Sequence, residues 1–301
     1  MAKRRKQSKS RFSQTIAIII AIAAVLSYQA FGQDNHKHKS STGQSQSKVL
    51  QSAKKANKSA NTPSSSASND ADLLNIKWDG TLDGDIVHLN NNQATFTATE
   101  MQETFPGNGS KLNPVDGLSL SALDSLGRSQ QANFVASKAA MDQVTKRPSQ
   151  IPQSVRPSGW NQNDHFNGTA WIGGYHNNPK VTLGGSKQAL WNKSHIVGYQ
   201  FFGMPTMVTE NMTTGTRVEN AYPGQLVPED DIRYAIKQNP NITIRGQVTP
   251  VYSGNELVPR GVHYMAKSVE DNGASLNLNY WIFNVQPGVT INYNTGSSTI
   301  N

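Results

Sequence analysis

Seven histidines occur in the chain, and His195 stands out by its place between a strand-like run, Gln188–Trp191, and the more apolar stretch Ile196–Phe202. Imidazole has an unperturbed pKa near about 6.5, so a histidine placed there can take a proton from water at neutral pH. Lys193, two residues earlier, can stabilise phosphate charge. Downstream, Asn211-Met212-Thr213-Thr214-Gly215-Thr216-Arg217-Val218-Glu219-Asn220 sets two amides nine residues apart with Arg217 between them. An amide oxygen is a hard ligand that suits Mg²⁺, an ion that keeps several waters and needs few protein groups. Taken singly, a histidine beside a strand and two asparagines in an Asn-rich chain are ordinary structural residues.

The elements around them are mostly strands. From Trp160 onward, strand-like runs cover Thr169–Tyr175, Lys187–Asn192, Ile242–Tyr252, Gly261–Val269 and Leu276–Val285. Between the second and third lies the best helix signal. Pro228-Glu229-Asp230-Asp231 puts proline in a first turn with three acids near the positive helix end, and Lys237 falls in the last turn. Upstream, Asp85–Leu89 and Ala94–Thr99, parted by Asn90-Asn91-Asn92-Gln93, predict a hairpin. Leu118 to Met141 carries apolar residues at helical spacing (Leu120, Leu123, Leu126, Phe134, Val135), interrupted at Gly127, and Pro148 to Pro157 is a breaker-rich connection. The mixture predicts an α+β fold, with a compact core over about 160–295 and a 73–150 segment packed on it.

Composition bounds the chemistry. Cysteine is absent, which excludes disulfides, a thiolate metal site and a cysteine nucleophile. The net charge of +8 belongs to the N-terminus: residues 1–70 hold 12 Lys/Arg against Asp34 and Asp70, leaving 16 basic and 18 acidic side chains in the body. Phosphate contacts on the body must therefore come from a few placed cations. Lys3, Arg4, Arg5, Lys6, Lys9 and Arg11 precede the apolar run Ile16–Leu26, so residues 1–32 read as a signal peptide or an uncleaved membrane anchor. Either one exports the rest of the chain. Residues 33–72, rich in Ser, Asn, Lys and Gln, read as a disordered basic linker, leaving 73–301 as the folded domain.

Trp191-Asn192-Lys193-Ser194-His195-Ile196-Val197-Gly198-Tyr199, followed by Asn211…Thr214-Gly215-Thr216-Arg217…Asn220, resembles the Lactobacillales branch of the DNA/RNA non-specific endonucleases. DNA-uptake nucleases of competent streptococci belong to the same class. Leu123-Asp124-Ser125-Leu126-Gly127-Arg128, Pro157-Ser158-Gly159-Trp160, Val248-Thr249-Pro250-Val251-Tyr252 and Val258-Pro259-Arg260-Gly261-Val262 fit that branch too, so the similarity spans roughly 75–295. The resemblance implies a ββα-metal (His-Me) finger. The family signature Asp-Arg-Gly-His is matched by Asn192, Lys193, Ser194 and His195, with Lys193 giving a point charge where the family has a bidentate fork.

The chemistry implied is metal-assisted phosphodiester hydrolysis of DNA, with RNA as a further substrate, outside the cell. His195 matches the general base and Asn220 the ligand of Mg²⁺, with Mn²⁺ as the alternative ion. Asn211 is the second catalytic asparagine, and Glu229 matches the following acid, with Asp230 and Asp231 as rivals. Lys193, Arg217 and Arg156 would hold the phosphate, and Trp160, Trp171 and Tyr175 are candidates for stacking on bases, though core packing is the commoner use of such rings. Two competing readings are an inactive binder of nucleic acid or cell-wall polymer on the same fold, motivated by Asn192 and Lys193, and a strand-rich surface adhesin.

Overall fold

The computed structural model describes residues 70–301. The export segment expected over 1–32 and the linker expected over 33–72 lie outside the described residues, except for Asp70, Ala71 and Asp72, which open a 3-10 turn that runs to Asn75. Among the described residues, no helix is long and apolar enough to cross a membrane.

Six antiparallel strands form the central sheet. Their order is β1 (Ile86–His88), β12 (Asn277–Phe283), β11 (Gly261–Ser268), β10 (Thr243–Val251), β3 (Ala132–Ser137) and β2 (Leu118–Leu120). Strand alternation decides which face is the core. Ile244 and Val248 of β10, Val262, Tyr264 and Ala266 of β11, and Leu278, Tyr280 and Ile282 of β12 all enter one buried cluster. Gly246 lies opposite Phe134 in the register, and a Cβ there would collide with the Phe134 ring. The missing side chain leaves room for that ring, which stacks on Phe201 with centroids 5.8 Å apart.

Helices and loops close over this face. The longest helix among the described residues, α4 (Leu226–Gln238), contributes Ile232, Ala235 and Ile236, and the segment after His195 contributes Ile196, Val197, Phe201 and Phe202. The stretch that carries His195 and the helix that carries Glu229 are thus seated on the same side of the sheet. Arg245 points to the other side, buried between the rings of Phe96 and Phe105 and paired with Glu103 at 2.8 Å.

The fold departs from three of the sequence expectations. The 118–141 stretch is not one helix but β2, β3 and the short α1 (Lys138–Asp142). Its buried positions alternate with period two in both strands, and the spacing of three from Leu120 to Leu126 falls in the loop that Gly127 turns with φ +72°. The 85–99 hairpin does not form. β1 pairs with β12 instead, because Asn90, Asn91 and Asn92 all adopt positive φ and the Asn92 side chain accepts from the Asn279 N–H at 3.0 Å. The 73–150 segment is no added layer, since it supplies β1, β2 and β3 of the sheet itself.

Candidate active site

Strands β8 (Trp191–His195) and β9 (Met212–Thr216) pair antiparallel, with His195 opposite Met212 and Ser194 opposite Thr213. A one-turn helix, α3 (Arg217–Asn220), grows directly from β9. Thr216 caps it, its hydroxyl accepting from the Glu219 N–H at 3.1 Å. Two side chains just beyond β12 hold this junction: Asn284 accepts from the Thr216 N–H at 2.8 Å and Gln286 from the Val218 N–H at 3.3 Å. Gln225, at the start of α4, donates to the His195 carbonyl at 3.2 Å. The strand-strand-helix unit is therefore one body braced from the sheet.

His195 is buried, and its Nε2 is enclosed without a hydrogen-bond partner among the described residues. Burial first, and then the charge of Arg147, push its pKa down to about 3, so the imidazole is neutral at physiological pH. Glu229 is buried in the first turn of α4, with Gln200 donating to its carboxylate at 2.8 Å. A Cβ on Gly198 would strike that carboxylate, so Glu229 points back at the chain just after His195. Burial raises its pKa to about 7, against the Gln200 bond and the charge of Arg147, which lower it. Arg147 thus acts on His195 and Glu229 together. The rival acids are turned elsewhere: Asp230 pairs with Arg233 at 2.6 Å and accepts from the Tyr222 hydroxyl, and Asp231 accepts from the Tyr280 hydroxyl at 3.5 Å.

The two asparagines differ. Asn211 is wholly buried and its amide is fully occupied by backbone. It accepts from the Val197 N–H at 3.0 Å and donates to the carbonyls of Val197 at 2.9 Å and Thr206 at 3.0 Å. Asn220, at the end of α3, is half-buried, and its amide makes no hydrogen bond among the described residues. Among those residues no group of three or more His, Cys, Asp or Glu is arranged to hold a metal ion. A free amide oxygen is a donor of the kind expected for an ion that keeps most of its water.

The cations also divide. Lys193 is half-buried, reaches the Pro152 carbonyl at 3.2 Å and lies 5.3 Å from the Trp160 ring centroid. Arg217 begins α3 with its Nε enclosed and without a hydrogen-bond partner among the described residues. Arg156 is committed to a neighbouring hairpin, donating to the carbonyls of Trp171 at 3.1 Å and Gly173 at 2.6 Å and pairing with Asp164 at 3.4 Å.

Three residues that sequence reading passed over belong to this region. Arg147 is exposed, on a loop pinned at both ends: Val144 and Ile151 pack on Tyr199, Met207 and Met212, the last being the partner of His195. Asp85 and Glu219 are buried carboxyls, and neither oxygen of Asp85 has a hydrogen-bond partner among the described residues. Burial lifts both to about 8; the charge of Glu219 adds to the shift at Asp85, while at Glu219 the Ser194 hydroxyl works against burial and the charge of Glu229 adds to it.

The model of the DNA/RNA non-specific endonuclease family matches residues 110–270, more than half of the chain. Solved structures of like fold include the Sda1 nuclease with a bound zinc ion, 23% identical with a TM-score of 0.57 over 70% of this chain and 94% of that one. Another is metal-free NucA from Streptococcus agalactiae, 24% identical with a TM-score of 0.51 over 80% of this chain and 100% of that one. No curated protein matches the sequence.

Proposed function

This chain belongs to the DNA/RNA non-specific endonuclease family, and on that premise we propose that it is a divalent-metal-dependent endonuclease with His195 as general base. Its substrate is DNA, and RNA as well, cleaved at the phosphodiester backbone. It acts outside the cell, a reading supported by the basic and apolar N-terminal sequence. One observation carries the proposal. The β8–β9 pair sets a buried, neutral imidazole at the end of one strand, and the helix that leaves its partner strand ends in an amide with no partner among the described residues.

His195 accepts the proton of the attacking water. Its proton affinity in the free protein is low, and the negative charge of a bound phosphate raises it where the proton must be taken. Asn220 offers the oxygen that would hold the cation, Mg²⁺ or alternatively Mn²⁺, and the zinc ion of the like-folded Sda1 nuclease favours a divalent site. When bound, the ion supplies charge neutralisation at the phosphate and the leaving oxygen. Arg147, Arg217 and Lys193 hold the phosphate, while Arg156 braces a hairpin. Asn211 positions His195 by fixing the turn that comes after it, and Glu229 fills the acid position beside the base.

The test is cleavage of plasmid DNA by the purified protein with Mg²⁺, with and without EDTA. Wild type is expected to cleave until the chelator is added. His195→Ala is expected to melt cooperatively yet cleave at least about a hundredfold more slowly. Retained activity in that variant removes His195 from the role. Binding of DNA without any chelator-sensitive cleavage would instead favour the inactive binder that Asn192 and Lys193 suggest.

A further inference from the structure

The folded body has no excess of positive charge, yet a polyanion must be held along more than one phosphate. Residues 160–193 are locally different. They contain Lys180, Lys187 and Lys193 and a single acid, Asp164, whose side chain is 1% exposed and paired with Arg156. The formal charge this stretch shows to solvent is therefore positive throughout.

Two hairpins are built here, β4 (Gln162–Phe166) with β5 (Trp171–Tyr175) and β6 (Lys180–Leu183) with β7 (Ser186–Ala189). In the second, Lys180 pairs with Ala189 and Thr182 with Lys187, which makes the two lysines diagonal neighbours on one face. That face is exposed, while Val181 is buried on the other. Neither lysine enters an ion pair or hydrogen bond among the described residues. The hairpins are fixed to the strand that ends in His195. Asn178 accepts from the Trp191 N–H at 2.8 Å and donates to the Trp191 carbonyl at 2.9 Å, and the Leu190 N–H donates to Pro179 at 2.8 Å.

The three aromatics that could stack on bases have separate fates. Trp171 is core, its indole N–H donating to the Gly127 carbonyl at 2.9 Å. Trp160 is covered by His176, stacked at 3.8 Å, and faces Lys193. Tyr175, next in sequence to His176, is 59% exposed, with no ring neighbour and no hydrogen bond from its hydroxyl among the described residues.

We propose that the double hairpin 162–189 is a strand-binding arm, in which Lys180 and Lys187 hold backbone phosphates beyond the cleaved bond and Tyr175 stacks on an unpaired base. The proposal rests on the nuclease reading and adds to it a preference for single-stranded segments. In a duplex the base faces are already stacked, whereas an unpaired base offers its whole face to a tyrosine ring, whatever its identity.

The experiment measures binding in full-length His195→Ala protein, so that the strand is not cut. The probes are oligothymidylate of about 20 nucleotides and a duplex of the same length, followed by fluorescence anisotropy over a range of salt. Lys180→Ala with Lys187→Ala is expected to reduce the slope of log affinity against log salt by about 1.4 for the single strand. Tyr175→Ala is expected to weaken single-strand binding between about fivefold and a hundredfold and to leave duplex binding nearly unchanged, with Tyr175→Phe restoring it. If wild type cleaves plasmid while these variants bind as their parent does, the arm is wrong and the nuclease reading stands. If wild type neither cleaves nor binds nucleic acid, both fall.

Discussion

Asp85 is a carboxyl with no hydrogen-bond partner for either oxygen among the described residues, held at a pKa of about 8 by burial and then by the charge of Glu219. Such a group costs stability when it ionises. The folded chain keeps the Asp85 proton at pH values where the unfolded chain, near 3.8, has released it. Stability therefore falls as pH rises from about 4 through about 8, and this loss is complete above that range. Asp85→Asn should flatten the fall and be the more stable protein at pH 8 by at least about 1 kcal/mol, read from melting temperatures across pH with EDTA present. Parallel curves for the two proteins would show that Asp85 does not titrate in this way. At this scale the sequence was legible where chemistry is written in contiguous stretches. His195, Asn211 and Asn220 each sit in a short run with a recognisable order, and Glu229 sits in a helix start. Asp85, Glu219 and Arg147 were not legible. Nothing local marks an acid as buried, and Arg147 lies beside a breaker-rich connection whose place is fixed only by the packing of Val144 and Ile151.

The turn between β8 and β9 shows how an element takes its shape from one side chain. Residues 196–211 make three short helical turns, the first of them α2 (Tyr199–Phe202), and Asn211 ties the segment together through three hydrogen bonds to the backbone. Asn211→Ala leaves one buried N–H and two buried carbonyls short of a partner, at roughly 1–3 kcal/mol for each group exposed to that loss. We expect about 3 kcal/mol of destabilisation in a urea melt, with the folded fraction still cleaving far faster than His195→Ala. A variant that melts like wild type but has lost cleavage would return Asn211 to a catalytic role. The elements themselves were read unevenly for a physical reason. β10, β11 and β12 are long runs rich in strand-forming residues and mostly buried on both faces, and α4 carries its charges where the helix dipole wants them, so each appears in sequence close to its observed bounds. β1 and β2 have three residues each and owe their state to a partner strand, β1 to one about 190 positions away in the chain, which no local period can report.

The whole molecule is larger than the stretch by which its family is recognised. Residues 110–270 contain His195, Asn211, Asn220 and Glu229 together with β2, β3, β10, β11 and α4, but neither β12 nor β1. β12 is the strand between β11 and β1, and it brings Leu278, Tyr280 and Ile282 to the main core. On its other face Trp281 and Phe283 form a second cluster with Leu73, Leu89 and Val251. Without it, β11 becomes a bare edge flanked by apolar surface. The junction that carries Asn220 also loses the acceptors of Thr216 and Val218, because Asn284 and Gln286 lie just beyond β12. Each large apolar side chain removed from a core forfeits roughly 1.5–3 kcal/mol, against a net stability of about 5–15 kcal/mol for a whole domain. Five such side chains leave with β12 alone, a loss as large as that whole margin. A fragment of residues 110–270 is therefore expected to show no cooperative thermal unfolding and no cleavage, although it holds every residue matched to the chemistry, whereas residues 70–301 show both. A cooperative melt by the shorter fragment would mean that the outer strands are dispensable, and that the site is braced by something other than the sheet.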